Sequence, residues 1–326
     1  MKIICTLGPS SFNQNTLKKL KSLGVNIFRI NLSHTKKEDI LKKIIYLKKN
    51  NIKNICIDTE GAQIRTSKVK KKVYLKKNAL TKISINNELS SKNKINLYPS
   101  FNLLSCKLNI RINVGFKGLI LKVIKKDYKS KKLTAKVIEP GYLESNKGVH
   151  INQAIKLQAL TKKDEYAINI ANQNKIKIFA ISFVNRSSDI DKVRNLVNNG
   201  STIISKIETK SAMNELKSIT NKSNAILIDR GDLSRYIPIE EIPLAQEKII
   251  RVGKSNRVPV YVATNLLETM INESLPTRAE SHDIFSTLRQ GASGLVLAAE
   301  TAIGVNPVEC VKFLKKSIRV YRKSKK

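Results

Sequence analysis

Short runs of β-branched residues alternate along the chain with segments whose apolar residues recur every three or four positions. Residues 2–6 predict a strand. Residues 16–23 predict a helix with Leu17, Leu20 and Leu23 on one face and Gly24 as its stop. Residues 26–31 predict the second strand, 36–49 a helix carrying Ile40, Ile44 and Leu47, and 54–58 the third strand. From about residue 67 to 150 the helical period is lost and strand-like runs such as 119–124 and 133–138 replace it. The strand and helix rhythm then resumes, with strands predicted at 177–183, 202–207, 225–228, 259–263 and 294–298. Asn306-Pro307, a favourable N-cap and first-turn pair, opens the last helix.

Three strands before the interruption and five after it make eight, and eight strand–helix units in 326 residues predict an α/β fold of the (β/α)8 TIM-barrel type. Residues 1–66 and 151–326 are expected to form the barrel. Residues 67–150 are expected to form a small inserted β-barrel lid after the third strand, with short, lysine-rich strands and a weak, polar interface that lets it move.

Chemistry in such a barrel is expected at the C-terminal ends of its strands. Those ends are polar here. Arg29, Asn31 and Ser33 share one face of the second strand by the period-two rule, and Lys206 and Glu208 share one face of the fifth. Asp58 and Thr59 close the third strand, Asp229-Arg230-Gly231-Asp232 follows the sixth, and Thr264 follows the seventh. Taken singly, each is a plausible solvated charge or loop cap. Together, two carboxylates (Glu208, Asp232), a lysine, an arginine and several hydroxyls are the parts needed for Mg²⁺ with a phosphate-bearing ligand.

The charge of +36 would ordinarily point to nucleic acid or an anionic membrane surface. Its lysines are spread along the whole chain with abundant isoleucine and asparagine, and aromatics are only 5% with no Trp, so stacking platforms are poorly supplied. Neither nucleic acid nor membrane is therefore expected, and the field should attract anionic metabolites. His34, His150 and His282 form no metal-ligand pair, and Cys5, Cys56, Cys106 and Cys310 make neither a Cys-x-x-Cys motif nor a secreted framework. Cys5 and Cys56 lie inside apolar strands as packing residues. With no signal-like start and no apolar run near ~18 residues, a cytoplasmic location is expected.

Ten stretches in order, CTLGPSS, FRINLSH, IDTEGAQIRT, NKGVHI, ISFV, IISKIE, RGDL, VPVYVATNLLETM, PTRAE and AAETAIG, resemble the pyruvate kinase family over almost the whole chain. The family's C-terminal effector domain has no counterpart before Lys326. The resemblance implies transfer of the phosphoryl group of phosphoenolpyruvate to ADP, giving pyruvate and ATP. It implies Lys206 over the transferring phosphoryl, Arg29 on the phosphate, and Thr264 near the methylene carbon. Backbone N–H groups of Gly231 and Asp232 would meet the substrate carboxylate. Glu208 and Asp232 would hold Mg²⁺ or Mn²⁺, Asn31, Ser33, Asp58 and Thr59 would hold K⁺, and His34, Arg65 and Lys147 would lie on the nucleotide side. A homo-oligomer through the barrel is a further expectation.

The departures from the family pattern are specific. DTKGPEIR becomes the stretch from Asp58 to Arg65, with Glu60, Ala62 and Gln63 in place of Lys, Pro and Glu, and Gln63 leaves the K⁺ requirement open. An alanine before the RGDL motif becomes Asp229, a serine after the eighth strand becomes Ala298, and an acidic lid motif becomes Phe116-Lys117-Gly118. Two alternatives stay open. One is a paralogue that binds phosphoenolpyruvate without turnover. The other is a metal-dependent aldolase or lyase of the citrate-lyase type, which Ile207-Glu208-Thr209 also resembles but which needs neither Lys206 nor a lid.

Overall fold

A computed structural model describes every residue except 62, 87, 116, 117, 154, 156, 325 and 326, so Phe116 and Lys117 of the expected lid motif lie outside the described residues. Eight strands close into a parallel barrel: β1 (Lys2–Thr6), β2 (Ile27–Asn31), β3 (Ile55–Asp58), β4 (Ile178–Ile181), β5 (Thr202–Ile207), β6 (Ala225–Asp229), β7 (Val260–Ala263) and β8 (Gly294–Leu297). Closure is made by β1, which pairs with β2 on one side and β8 on the other.

The period-two rule separates two apolar layers. Ile4, Ile27, Cys56, Ala180, Ile204, Leu227, Tyr261 and Val296 line the barrel interior, while the alternate positions, such as Ile3, Phe28, Ile57, Phe179, Ile203 and Val262, join the larger core beneath the helices. Each fully buried aliphatic side chain contributes about 1.5–3 kcal/mol.

Helix starts follow from local chemistry. Asn13 caps Gln14–Ser22, Thr161 and Asp164 form a reciprocal cap on Lys162–Gln173, and Thr277 and Glu280 do the same for Arg278–Gln290, which ends at Gly291 in the left-handed region. The segment expected to be helical from 36 begins as a short 3₁₀ turn, Lys37–Asp39, before the helix Ile40–Lys49. Pro307 opens the last helix, Pro307–Lys323, but Asn306 makes no capping bond. Among the described residues no helix is long and apolar enough to cross a membrane.

The chain divides into two compact units, 1–61 with 159–326 and 62–158. The expected division at 66/67 and 150/151 is thus displaced outward. Arg65–Thr66 pairs with Tyr98 and Leu97, and Val149–Ile151 pairs with Arg111–Val114, so both segments hydrogen-bond within the insert. The insert holds a seven-stranded sheet and a separate two-stranded pair. Its edge strands meet at Arg65 and Gly148, where Thr66 N–H donates to Lys147 O at 2.9 Å and Val149 N–H to Ile64 O at 2.7 Å. That contact brings the sheet to the edge of closure around its own core, which includes Ile83, Ile112, Leu121 and Val137.

Candidate active site

The barrel's inward register continues upward from the apolar lining. Two residues beyond Ile4, Ile27, Cys56, Ala180, Ile204 and Leu227 stand Thr6, Arg29, Asp58, Ser182, Lys206 and Asp229. All six are buried. A polar layer therefore caps the hydrophobic ones, which the charges tolerate only because they pair.

Lys206 is its centre. Its Nζ lies 2.8 Å from Glu208 Oε1, 3.4 Å from Asp229 Oδ2 and 3.6 Å from Asp58 Oδ1, and donates to Ser182 Oγ at 3.1 Å. Burial works against this ammonium, but the carboxylates of Asp58, Glu208 and Asp229 outweigh burial and hold it above the usual lysine range. Arg29 donates from Nη1 to Asp58 Oδ2 at 3.1 Å and from Nε to Thr6 Oγ1 at 2.8 Å. One carboxylate thus serves two cations.

Glu208 is fully buried. Its Oε2 accepts the Phe183 N–H at 2.6 Å, whereas Oε1 has the Lys206 ion pair but no aligned hydrogen bond. Burial pushes its carboxyl up to about 8, with Lys206 drawing it down and Asp232 and Asp229 driving it up. Burial also works against the Asp229 carboxylate, yet Lys206 and Arg29 hold that group below the ordinary aspartate range. Ligand oxygens of Glu208, Asp229 and Asp232 lie within 4.8 Å of one another. Three hard oxygen donors, one with a buried lone-pair site lacking an aligned donor, fit Mg²⁺ or Mn²⁺ and do not fit a thiophilic metal.

Thr264 follows β7 at φ 70, a left-handed conformation that is strained for a β-branched residue. Its Oγ1 accepts the Gly231 N–H at 2.9 Å, and its carbonyl accepts Arg230 Nε and Nη2 at 3.1 and 2.5 Å. The Asp232 N–H points at Asp229 Oδ1 at 3.5 Å. The two backbone N–H groups expected to face a substrate carboxylate thus point at Thr264 Oγ1 and Asp229 Oδ1.

Asn31 and Asp58 are direct register partners on β2 and β3. Asn31 Oδ1 accepts the Ser33 N–H at 2.9 Å, Thr59 Oγ1 accepts the Ser182 N–H at 2.9 Å, and Asp58 Oδ1 is buried without a hydrogen bond. This oxygen-rich corner, with that one orphan acceptor, suits a monovalent cation. Glu60, where the family has Lys, pairs with Lys163 at 2.9 Å. Of the expected nucleotide-side residues, His34 is exposed in the barrel unit; Arg65 and Lys147 belong to the insert, where Lys147 pairs with Glu144 at 2.9 Å.

Ser182 and Phe183 were not singled out by sequence, although period two from Ala180 points to Ser182. The cysteines are buried thiols, and burial pushes Cys56 up to about 12, which fits packing and not nucleophilic work.

A family model for the barrel domain of pyruvate kinase matches residues 1–311. The chain belongs to the pyruvate kinase family. It is 35% identical to the pyruvate kinase of Thermotoga maritima over 97% of its length and 69% of that protein. It is 33% identical to the pyruvate kinase of Sporosarcina psychrophila, covering 95% of this chain and 55% of that one. To the pyruvate kinase of Chlamydia muridarum it is 31% identical over 99% of this chain and 69% of the other. The chain thus spans between about half and two thirds of the length of these pyruvate kinases.

Proposed function

We propose that the protein is a pyruvate kinase that transfers the phosphoryl group of phosphoenolpyruvate to ADP, yielding pyruvate and ATP. The observation that carries this reading is Lys206, a buried ammonium kept charged at the barrel mouth beside a three-carboxylate cation site. Phosphoryl transfer asks a protein mainly for positioned positive charge around the equatorial oxygens, with little covalent work. Lys206 supplies that charge. Arg29, fixed by Thr6 and Asp58, binds the phosphate from β2, which β3 and β4 separate from β5. Thr264, locked in its strained turn, stands near the methylene carbon that takes up a proton after transfer.

Glu208 and Asp232 would hold Mg²⁺ or Mn²⁺, which when bound neutralises phosphate charge and orients the transferring group. Asn31, Ser33, Asp58 and Thr59 would hold K⁺. His34, Arg65 and Lys147 would serve the nucleotide, and Gly231 and Asp232 would serve the substrate once their N–H groups are released. A cytoplasmic location suits the four free thiols, and a homo-oligomer through the barrel is part of the same reading.

The test is a coupled assay for pyruvate and ATP from phosphoenolpyruvate plus ADP, with Mg²⁺, with and without K⁺. Turnover that requires Mg²⁺ is expected. Phosphoenolpyruvate binding without product would leave a non-catalytic paralogue in its place.

A further inference from the structure

The chain leaves β6 through the short helix Arg230–Leu233 and a further turn in which the Arg235 N–H donates to the Asp232 carbonyl at 3.1 Å. That turn sets the Arg235 side chain beside Asp232. Its Nη2 lies 3.2 Å from Asp232 Oδ1, and a ligand oxygen of Asp232 lies within 4.8 Å of those of Glu208 and Asp229. The neighbouring Tyr236 hydroxyl is pushed up to about 12 by burial, with Arg235 drawing it down and Asp232 and Glu208 driving it up, so residues 235 and 236 share the field of the barrel mouth. No motif gave Arg235 a role.

We infer that Arg235 is a substrate-binding residue that holds the carboxylate of phosphoenolpyruvate on the β6 side of the mouth. The inference rests on the pyruvate kinase reading for the identity of the substrate. The two N–H groups expected for that carboxylate are engaged elsewhere, Gly231 with Thr264 Oγ1 at 2.9 Å and Asp232 toward Asp229 Oδ1 at 3.5 Å. Arg29 and Lys206, from β2 and β5, serve the phosphate. A guanidinium suits the remaining task, because its planar fork meets both oxygens of a carboxylate with parallel N–H···O bonds. Binding then exchanges one carboxylate for another. Asp232 is the partner given up, and with side chains 18% and 24% exposed neither group is stranded away from water by the exchange.

The competing explanation is an ordinary ion pair three residues apart that decorates the turn, contributes little and reads no ligand. Two ligands separate the explanations. Phosphoglycolate carries phosphate and carboxylate in the spacing of phosphoenolpyruvate, and methyl phosphate lacks the carboxylate.

The experiment titrates the full chain with each ligand at one fixed Mg²⁺ concentration, followed by phosphorus nuclear magnetic resonance. Wild type is expected to prefer phosphoglycolate. Arg235→Gln is expected to weaken phosphoglycolate by about 10–10²-fold and to leave methyl phosphate within about twofold, which also shows that the fold and the phosphate pocket survive. Arg235→Lys keeps the charge without the fork, so it should still lose phosphoglycolate affinity several-fold. An unchanged preference in Arg235→Gln overturns the inference and returns the carboxylate to the backbone N–H groups or the cation. Equal loss of both ligands, or full retention of the preference in Arg235→Lys, overturns it as well, since either reduces Arg235 to a charge in the field. Wild type that binds both ligands equally overturns the carboxylate contact and leaves the phosphate pocket standing. Wild type that binds neither overturns the pyruvate kinase reading together with the inference.

Discussion

Arg29 and Asp58 stand on adjacent strands of the barrel and pair at 3.1 Å with side chains only 4% and 1% exposed. Asp58 also faces Lys206, so its charge is held by two cations at once. Asp58→Asn leaves Arg29 buried without a carboxylate. The expected loss is about 3–5 kcal/mol, the usual effect of removing one partner of a buried pair. Urea unfolding measures it, and a loss below about 1 kcal/mol would mean that water reaches the pair.

The strands were legible because β-branched runs alternate with helical periodicity, and eight such units have few ways to close. Lys206 and Glu208 were legible together because period two puts Glu208, the residue just after β5, on the same face as Lys206. Asp229 stood out in the sequence only as the replacement of an alanine before the RGDL motif, since β6 was expected to end at Ile228. The same period-two rule, run from Ala225 through Leu227, places Asp229 inward. What no pattern supplied was contact between strands distant in sequence: the Ser182 hydroxyl beneath Lys206, the Phe183 N–H on Glu208, or Arg230 reaching the Thr264 carbonyl. The insert boundaries were missed for the same reason, because the strands at Arg65 and Val149 acquire partners only once the insert folds.

Lys206→Met is expected to abolish most phosphoryl transfer, by ~10²–10³ in rate or more. It should also destabilise the protein, because Asp58, Glu208 and Asp229 lose their shared cation. Mg²⁺ held at the Glu208, Asp229 and Asp232 cluster would restore positive charge beside two of those three carboxylates, so it should raise the melting temperature of the variant more than that of wild type. Thermal melts with and without Mg²⁺ check this, and equal shifts would contradict the shared-cation picture.

Glu280 provides a pH test away from the mouth. Its Oε2 accepts the Thr277 N–H at 2.7 Å and Thr277 Oγ1 at 3.0 Å, while Oε1 accepts the Thr269 N–H at 2.7 Å. Burial opposes its charge, but these donors outweigh burial and hold the carboxyl below the usual glutamate range. A depressed folded-state value stabilises above the unfolded value, about 4.3, and that contribution is lost as pH falls through the folded value. Glu280→Gln should therefore cost about 1–2 kcal/mol at pH 7. The gap to wild type should narrow steadily under acid. A gap independent of pH would assign the loss to packing.

Arg230 is expected to govern the protonation step through Thr264. Its Nη1 lies 2.9 and 2.8 Å from the two Asp283 oxygens, and its Nε and Nη2 hold the Thr264 carbonyl, so one planar group joins three elements. Thr264 keeps φ 70 against a strain of about 1–3 kcal/mol because this clamp and the Gly231 N–H fix it from both ends. A lysine at 230 reaches one partner at a time, and Thr264 is then free to relax. Arg230→Lys should lower turnover by about 10–10²-fold, the scale of a misplacement near 1 Å. Apparent affinity for phosphoenolpyruvate should stay close to wild type, because Arg29 and Lys206 are untouched. Exchange of solvent hydrogen into the pyruvate methyl group should fall in step with turnover. A variant that keeps wild-type exchange while losing turnover would move the role of Arg230 from protonation to phosphoryl transfer.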